Sequence, residues 1–100
     1  MLLYNVTIGI DKSVEQEWLA WMRESYIPGA LSSKMLQDCK IFKVLHDEDE
    51  PTVSYSVQFF SESIQMVNLY LEKIEPILSE ALKQRYKDKH VAFRTLLEQV

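Results

Sequence analysis

Side-chain character alternates residue by residue in two long segments of this chain, and that alternation restricts the fold more than any other feature. Tyr4, Val6, Ile8 and Ile10 are interleaved with Asn5, Thr7 and Gly9, and Val53, Tyr55, Val57 and Phe59 with Ser54, Ser56 and Gln58. Successive side chains of a β-strand point to opposite faces, so both segments read as strands with one apolar and one polar face. A sheet surface bathed in water collects Lys, Glu and Arg, yet the polar positions here are uncharged. Such a face is expected to be covered but still wet, by a partner subunit or a ligand.

One hundred residues suffice for a single domain, 1–100, built on one core. The chain is 47% hydrophobic and 26% charged, the composition of an ordinary globular protein. A net charge of −4 supplies no basic field for a phosphate backbone, so nucleic acid is not an expected partner. The single Cys39 excludes a disulfide within the chain and any four-cysteine iron–sulfur or zinc site. Met1-Leu2-Leu3-Tyr4-Asn5 has neither a basic flank nor a long apolar run. No signal peptide and no membrane span are therefore expected, and a cytoplasmic location follows.

Leu2 to Ile10 reads as the first strand. Ser13-Val14-Glu15-Gln16 has the form of a capping box, opening a helix to about Tyr26 with Val14, Trp18, Trp21, Met22 and Ser25 on one face. Pro28-Gly29 is expected to stop it, with a short helical turn between Ala30 and Leu36. Cys39 to His46 reads as a second strand, Ile41 and Leu45 on one face, Phe42 and Val44 on the other. The acidic run Asp47-Glu48-Asp49-Glu50-Pro51 forms the turn into a third strand, Thr52 to Phe60. Ser61 and Glu62 open a second helix with the stripe Ile64, Val67, Leu71, Ile74, Leu78 and Ala81. Pro76 falls inside that stripe and predicts a kink or two abutting helices. A fourth strand runs from about Lys89 to Glu98.

The order strand, helix, strand, strand, helix, strand is the split β-α-β form of the ferredoxin-like fold. It is an α+β architecture, an antiparallel sheet with helices on one face. There the first strand lies beside the third and the fourth. Tyr4, Val6, Ile8, Tyr55, Val57, Phe59, Val91 and Phe93 should meet the helices.

Four stretches resemble a small bacterial family of domains of unknown function, and the likeness covers nearly the whole chain. They are the opening Tyr4-Asn5-Val6-Thr7, the helix carrying Trp18, Trp21 and Met22 into Ile27-Pro28, the strand Tyr55-Ser56-Val57-Gln58-Phe59, and the ending Phe93-Arg94-Thr95-Leu96-Leu97. Such proteins are similar to the dimeric α+β-barrel superfamily, in which two ferredoxin-like subunits stack sheet against sheet. The resemblance implies a homodimer joined through the sheet face. The barrel group includes cofactor-free monooxygenases, haem-degrading enzymes and muconolactone-isomerase-like proteins, and no catalytic residue of theirs carries over to this chain.

The leading candidate site is the polar face itself: Asn5, Thr7, Ser54, Ser56, Gln58 and Arg94, with Gly9 opening space beside them or marking a bulge. It reads first as a hydrogen-bonded, hydrated dimer interface and second as a lumen for a small polar ligand. Arg94, the one full charge assigned to the middle of that face, would hold an anion or pair with Glu98 or a carboxylate of a second subunit. Trp18, Trp21 and Met22 would line a flat aromatic pocket between helix and sheet, joined by the phenols of Tyr4 and Tyr55, although such a stripe is more often plain core. His46 and the acidic run lack the spacing of a metal site, His90 is no better placed, and no metal ligand is assigned. Cys39 has no base or cation on its own side of the strand and is expected to be an inert thiol.

Two functions follow. One is a homodimeric module binding a small polar ligand between or beneath its sheets, with no cofactor. The other is a cofactor-independent monooxygenase or haem-degrading-type enzyme, resting on the resemblance together with Trp18, Trp21, Tyr4, Tyr55 and Asn5, although no histidine is placed as an axial haem ligand. An RNA-binding sheet would need aromatic and basic residues in its central strands, where this chain has small uncharged ones. Asp11-Lys12-Ser13 does not form the glycine-rich, arginine-bearing cradle of an acylphosphatase-like site.

Overall fold

In a computed structural model, which describes residues 1–45 and 50–100, the two alternating segments become the central strands of one antiparallel sheet. β1 (Leu2–Asp11) pairs with β3 (Thr52–Ser61), so that Tyr4 lies opposite Phe59, Val6 opposite Val57 and Ile8 opposite Tyr55. β2 (Asp38–Lys43) flanks β3 and β4 (His90–Glu98) flanks β1, giving the order β2-β3-β1-β4. The helices cover the face of Tyr4, Val6, Ile8, Val53, Tyr55, Val57 and Phe59, all of them buried.

The first helical layer continues where a stop was expected. The Asp11 carboxylate accepts from the Ser13 N–H at 2.8 Å and the Ser13 hydroxyl at 2.6 Å, capping a 3-10 turn, Lys12–Val14. The expected capping box at Ser13 is therefore not formed. Ser13 donates to Asp11 from inside that turn, and α1 (Glu15–Trp21) begins without a side-chain cap. The helix then widens into a π turn, Met22–Tyr26, and runs on as α2 (Ile27–Ser32) with Pro28 in its first turn. A proline ring removes one donor and crowds the carbonyl four residues back, and the widened turn just upstream relieves both. Trp18, Met22, Tyr26 and Ala30, spaced four apart, are wholly buried. Lys34, in the left-handed region at φ 63°, turns the chain away after α2.

Ser63, not Ser61, caps α3 (Ile64–Lys73). Its hydroxyl accepts from the Met66 N–H at 3.2 Å, while the buried Ser61 hydroxyl accepts from the Ser63 N–H. Pro76 makes the expected break, since α3 gives way at Ile74 to α4 (Glu75–Arg85) with the proline in its first turn. Val67, Tyr70 and Leu82 are the buried residues of this pair, with Leu71, Ile74 and Leu78 packed beside them. Ile64 and Ala81, assigned to the stripe, are exposed.

β4 departs furthest from expectation. Val6 lies opposite Arg94 and Ile8 opposite Ala92, so Arg94 and Ala92 share the helix-covered face while Val91, Phe93, Thr95 and Leu97 occupy the open one. Val91 and Phe93, expected in the core, are 58% and 67% exposed. A one-residue change of register inverts every side chain of a strand. The turn after α4 sets this register: Asp88 adopts φ 64°, the Lys89 N–H donates to the Tyr86 carbonyl, and the Lys89 carbonyl accepts from the Asp11 N–H. Among the described residues, no helix is long and apolar enough to cross a membrane.

Candidate functional site

Strand pairing lays out the open face in rows. Phe42, Ser56, Thr7 and Phe93 form one row across the sheet, and Lys40, Gln58, Asn5 and Thr95 the next. The polar residues of the two central strands bond to one another. Ser56 Oγ donates to Asn5 Oδ1 at 2.6 Å, Asn5 Nδ2 to Thr7 Oγ1 at 2.9 Å, and Gln58 Nε2 to Ser56 Oγ at 3.1 Å. Asn5, Thr7, Ser56 and Gln58 are thus brought together, while Ser54 lies on the same face in the row of Gly9 and Val91. A Cβ at Gly9 would meet Val91 Cγ2 at 3.1 Å, so glycine lets the Val91 side chain lean over the strand. An amide offers two N–H protons and a carbonyl with two lone pairs, so Asn5 and Gln58 keep bonding capacity beyond this network. Large exposed apolar side chains border it: Phe93 and Val91 on one flank, Phe42 (51%) on the other, and Leu97 (47%) at one end.

Arg94 is not on that face. It sits on the helix side, where Nε donates to Glu75 Oε1 at 2.7 Å and Nη2 to Ser79 Oγ at 2.9 Å. Burial opposes the guanidinium charge, but the adjacent Glu75 carboxylate and the nearby Tyr4 and Tyr26 phenols together hold the Arg94 pKa above its ordinary value. Glu75 lies in the first turn of α4, where the helix dipole also favours a negative charge. The side chain expected on the open face, either holding an anion or paired with Glu98 or a second subunit's carboxylate, does pair with a carboxylate, but that of Glu75, and so ties β4 to α4.

Next to this tie the interior holds three phenols, Tyr4 of β1, Tyr26 of the π turn and Tyr70 of α3, which are 3%, 0% and 0% exposed. The Tyr4 ring meets the Tyr70 ring edge-on at 6.0 Å and stacks on Phe59 at 6.3 Å. The Tyr26 and Tyr70 hydroxyls make no hydrogen bond within the described residues, and the Tyr4 hydroxyl lies beside the Arg94 guanidinium. A buried hydroxyl without a partner costs about 1–3 kcal/mol, and such groups in native proteins are nearly always satisfied. Burial pushes the Tyr4 phenol up to about 12; nearby Glu75 adds to the rise, and Arg94 opposes it. Burial likewise raises Tyr26 and Tyr70, each helped by the neighbouring phenols. All three carry their protons at neutral pH.

The remaining candidates separate. Trp18 packs on Tyr55 with ring centroids 5.0 Å apart, and the Tyr55 hydroxyl donates to the Glu15 carboxylate, which Lys43 Nζ approaches at 3.5 Å. Trp21 points elsewhere, edge-on to Tyr26 and Tyr86 with the Arg85 guanidinium 5.8 Å from its ring centre. Burial, reinforced by Asp38, pushes the Cys39 thiol up to about 12, so it is not a thiolate at neutral pH. His90 Nδ1 lies 2.8 Å from the Tyr86 carbonyl. Among the described residues no group of three His, Cys, Asp or Glu is disposed to hold a metal ion, and His46, Asp47, Glu48 and Asp49 lie outside those residues. Sequence reasoning misses Tyr26 and Tyr70, although each stands at helical spacing from a buried residue: Tyr26 four after Met22, Tyr70 three after Val67.

A family model described as a domain of unknown function (DUF4286) matches residues 1–100. No curated protein matches the chain. Among solved structures, HapK from Hahella chejuensis is similar with a TM-score of 0.72 at 11% identity, covering 100% of this chain and 93% of that one. A dimeric ferredoxin-like protein from an uncultured marine organism has a TM-score of 0.64 at 19% identity, covering 100% and 97%. A candidate antibiotic biosynthesis monooxygenase from Deinococcus radiodurans has a TM-score of 0.64 at 13% identity, covering 100% and 93%. At these identities the likeness shows the ferredoxin-like fold.

Proposed function

The chain belongs to the family described as a domain of unknown function (DUF4286), and from that premise we propose that it is a homodimeric module whose protomers stack open face on open face, enclosing a hydrated lumen suited to a small polar ligand. The observation that carries this reading is the make-up of one face, a self-bonded polar centre bordered by Phe42, Val91, Phe93 and Leu97. Four large apolar side chains exposed on one side of a sheet form the kind of patch that marks an interaction surface. A two-fold axis would place each patch against its own copy, apolar border on apolar border, as isologous interfaces require. Four strands about 5 Å apart and about 30 Å long present roughly 600 Å² per protomer, so the pair would bury about 1,200 Å², the lower bound of a stable specific interface. One similar structure is described as dimeric, which agrees with this arrangement. Oxygenase activity is supported by fold likeness alone, and this fold hosts many chemistries.

Phe93→Glu tests the proposal, because Phe93 is largely exposed in one protomer and the change leaves the core untouched. Sedimentation should show a monomer with an unchanged far-ultraviolet circular dichroism spectrum. A variant that sediments like the unmodified chain would contradict the sheet-to-sheet arrangement.

A further inference from the structure

At one end of the sheet, where β1 finishes and β3 and β4 begin, the open face dips into a cleft of about 150 Å³. Gly9 stands opposite Val91 there and Asp11 opposite Thr52, and the side chain that Gly9 lacks is part of what opens the space. Two opposite charges line this cleft, Lys89 Nζ lying 3.9 Å from Asp11 Oδ2 with both side chains part-exposed. An ion pair so long and so wet contributes little by itself and leaves each charge open to a guest. We propose that the cleft binds a small zwitterion whose ammonium and carboxylate are joined through one carbon, the class of α-amino acids with little or no side chain.

The backbone sets both charges in place before a guest arrives. The Asp11 N–H donates to the Lys89 carbonyl at 2.9 Å, which fixes the two residues side by side. The left-handed Asp88, at φ 64°, and the bond from the Lys89 N–H to the Tyr86 carbonyl at 3.0 Å shape the turn that delivers Lys89. Asp11 Oδ1 is occupied by the Ser13 hydroxyl and N–H, so Oδ2 is the oxygen that faces Lys89. Those two bonds also hold the Asp11 carboxyl below its ordinary value, and it is charged at neutral pH. The mixture of signs excludes simpler guests. A bare anion on Lys89 would meet the carboxylates of Asp11 and Asp88, and a bare cation on Asp11 would meet Lys89. A zwitterion sets its ammonium beside Asp11 and its carboxylate beside Lys89, so four charges alternate in sign and every neighbour attracts. Spacing then selects within the class. Standard bond lengths put the nitrogen and carboxylate oxygens of an α-amino acid about 3 Å apart, close to the 3.9 Å between the two protein groups. A longer linker overshoots that separation. The volume, well below the about 300–1,000 Å³ of sites for drug-sized ligands, limits the side chain. The lining residues all belong to one protomer and share only Val91 with the apolar border, so the site does not need a second copy.

The test is NMR of the isotope-labelled intact chain, titrated separately with glycine, acetate, methylammonium and γ-aminobutyrate. Glycine should shift the backbone N–H signals of Gly9, Asp11 and Lys89 saturably, and the other three probes should bind about tenfold more weakly or less. Lys89→Met keeps the backbone carbonyl that Asp11 bonds, and Asp11→Asn keeps a side-chain oxygen for Ser13, so both variants should fold. Each should weaken glycine binding about tenfold, the worth of one charged contact. No saturable shift with glycine, any other probe binding as tightly as glycine, or unchanged affinity in either variant would overturn the proposal. Sedimentation reports the pairing of protomers independently, so a failure here is distinct from a failure of the dimer.

Discussion

Tyr4, Tyr26, Tyr55 and Tyr70 hold their phenols neutral for one shared reason, removal from water, and this ties the stability of the fold to alkaline pH. Burial leads the rise at all four; at Tyr55 the hydrogen bond to Glu15 and its charge add to it. In the unfolded chain a tyrosine ionises near its ordinary value of 10.0, whereas in the fold Tyr4 and Tyr55 are pushed up to about 12. Above the unfolded value the unfolded state binds fewer protons than the native one, so stability falls as pH rises. The contribution of these groups should be fully present below pH 10 and lost as pH climbs toward 12. Alkaline titration should therefore show most of the tyrosinate absorbance appearing together with loss of helical circular dichroism. Tyrosinate formed near its ordinary pKa in a protein that keeps its helices would refute this account of the interior. Arg94 illustrates a different residue-scale lesson. Its type announces a charge-pairing role, which it has, but type alone says nothing about which side of the sheet it serves.

Local chemistry fixes the starts of the helical elements, and there sequence and structure part in instructive ways. The Ser63 hydroxyl accepts from the first turn of α3, whereas the Ser13 hydroxyl donates to Asp11 and caps nothing. Ser63→Ala should then cost about 1 kcal/mol in urea unfolding and Ser13→Ala clearly less. Equal losses would reinstate the capping box. β1 and β3 were legible because their two faces differ at every position. β4 was not, since Val91, Phe93 and Leu97 on one side face Ala92 and Leu96 on the other, and alternation alone cannot say which side is buried. Only the pairing of Val6 with Arg94 decides it, and that pairing is a tertiary fact. The continuation past Pro28 was hidden for a similar reason, because a widened π turn that accommodates the ring leaves no signature in composition.

For the whole molecule, the order of elements led to the ferredoxin-like fold, because a helix-covered antiparallel sheet is the compact solution for two strands with one greasy face each. The polar half of the candidate site was legible with it: Asn5, Thr7, Ser56 and Gln58 come from the two strands whose faces were unambiguous, and they meet as a bonded network. The apolar border was not, because Val91 and Phe93 depend on the register of β4. The interior phenols were not either, since Tyr4, Tyr26 and Tyr70 are assembled from distant stretches that only the packed helices bring together. What unites these features is a sheet with one face sealed by helices and the other proposed as a contact surface. Light scattering of the unmodified chain at micromolar concentration tests that claim most directly. The account predicts a particle of twice the 11.8 kDa chain mass, and a particle of 11.8 kDa would contradict it.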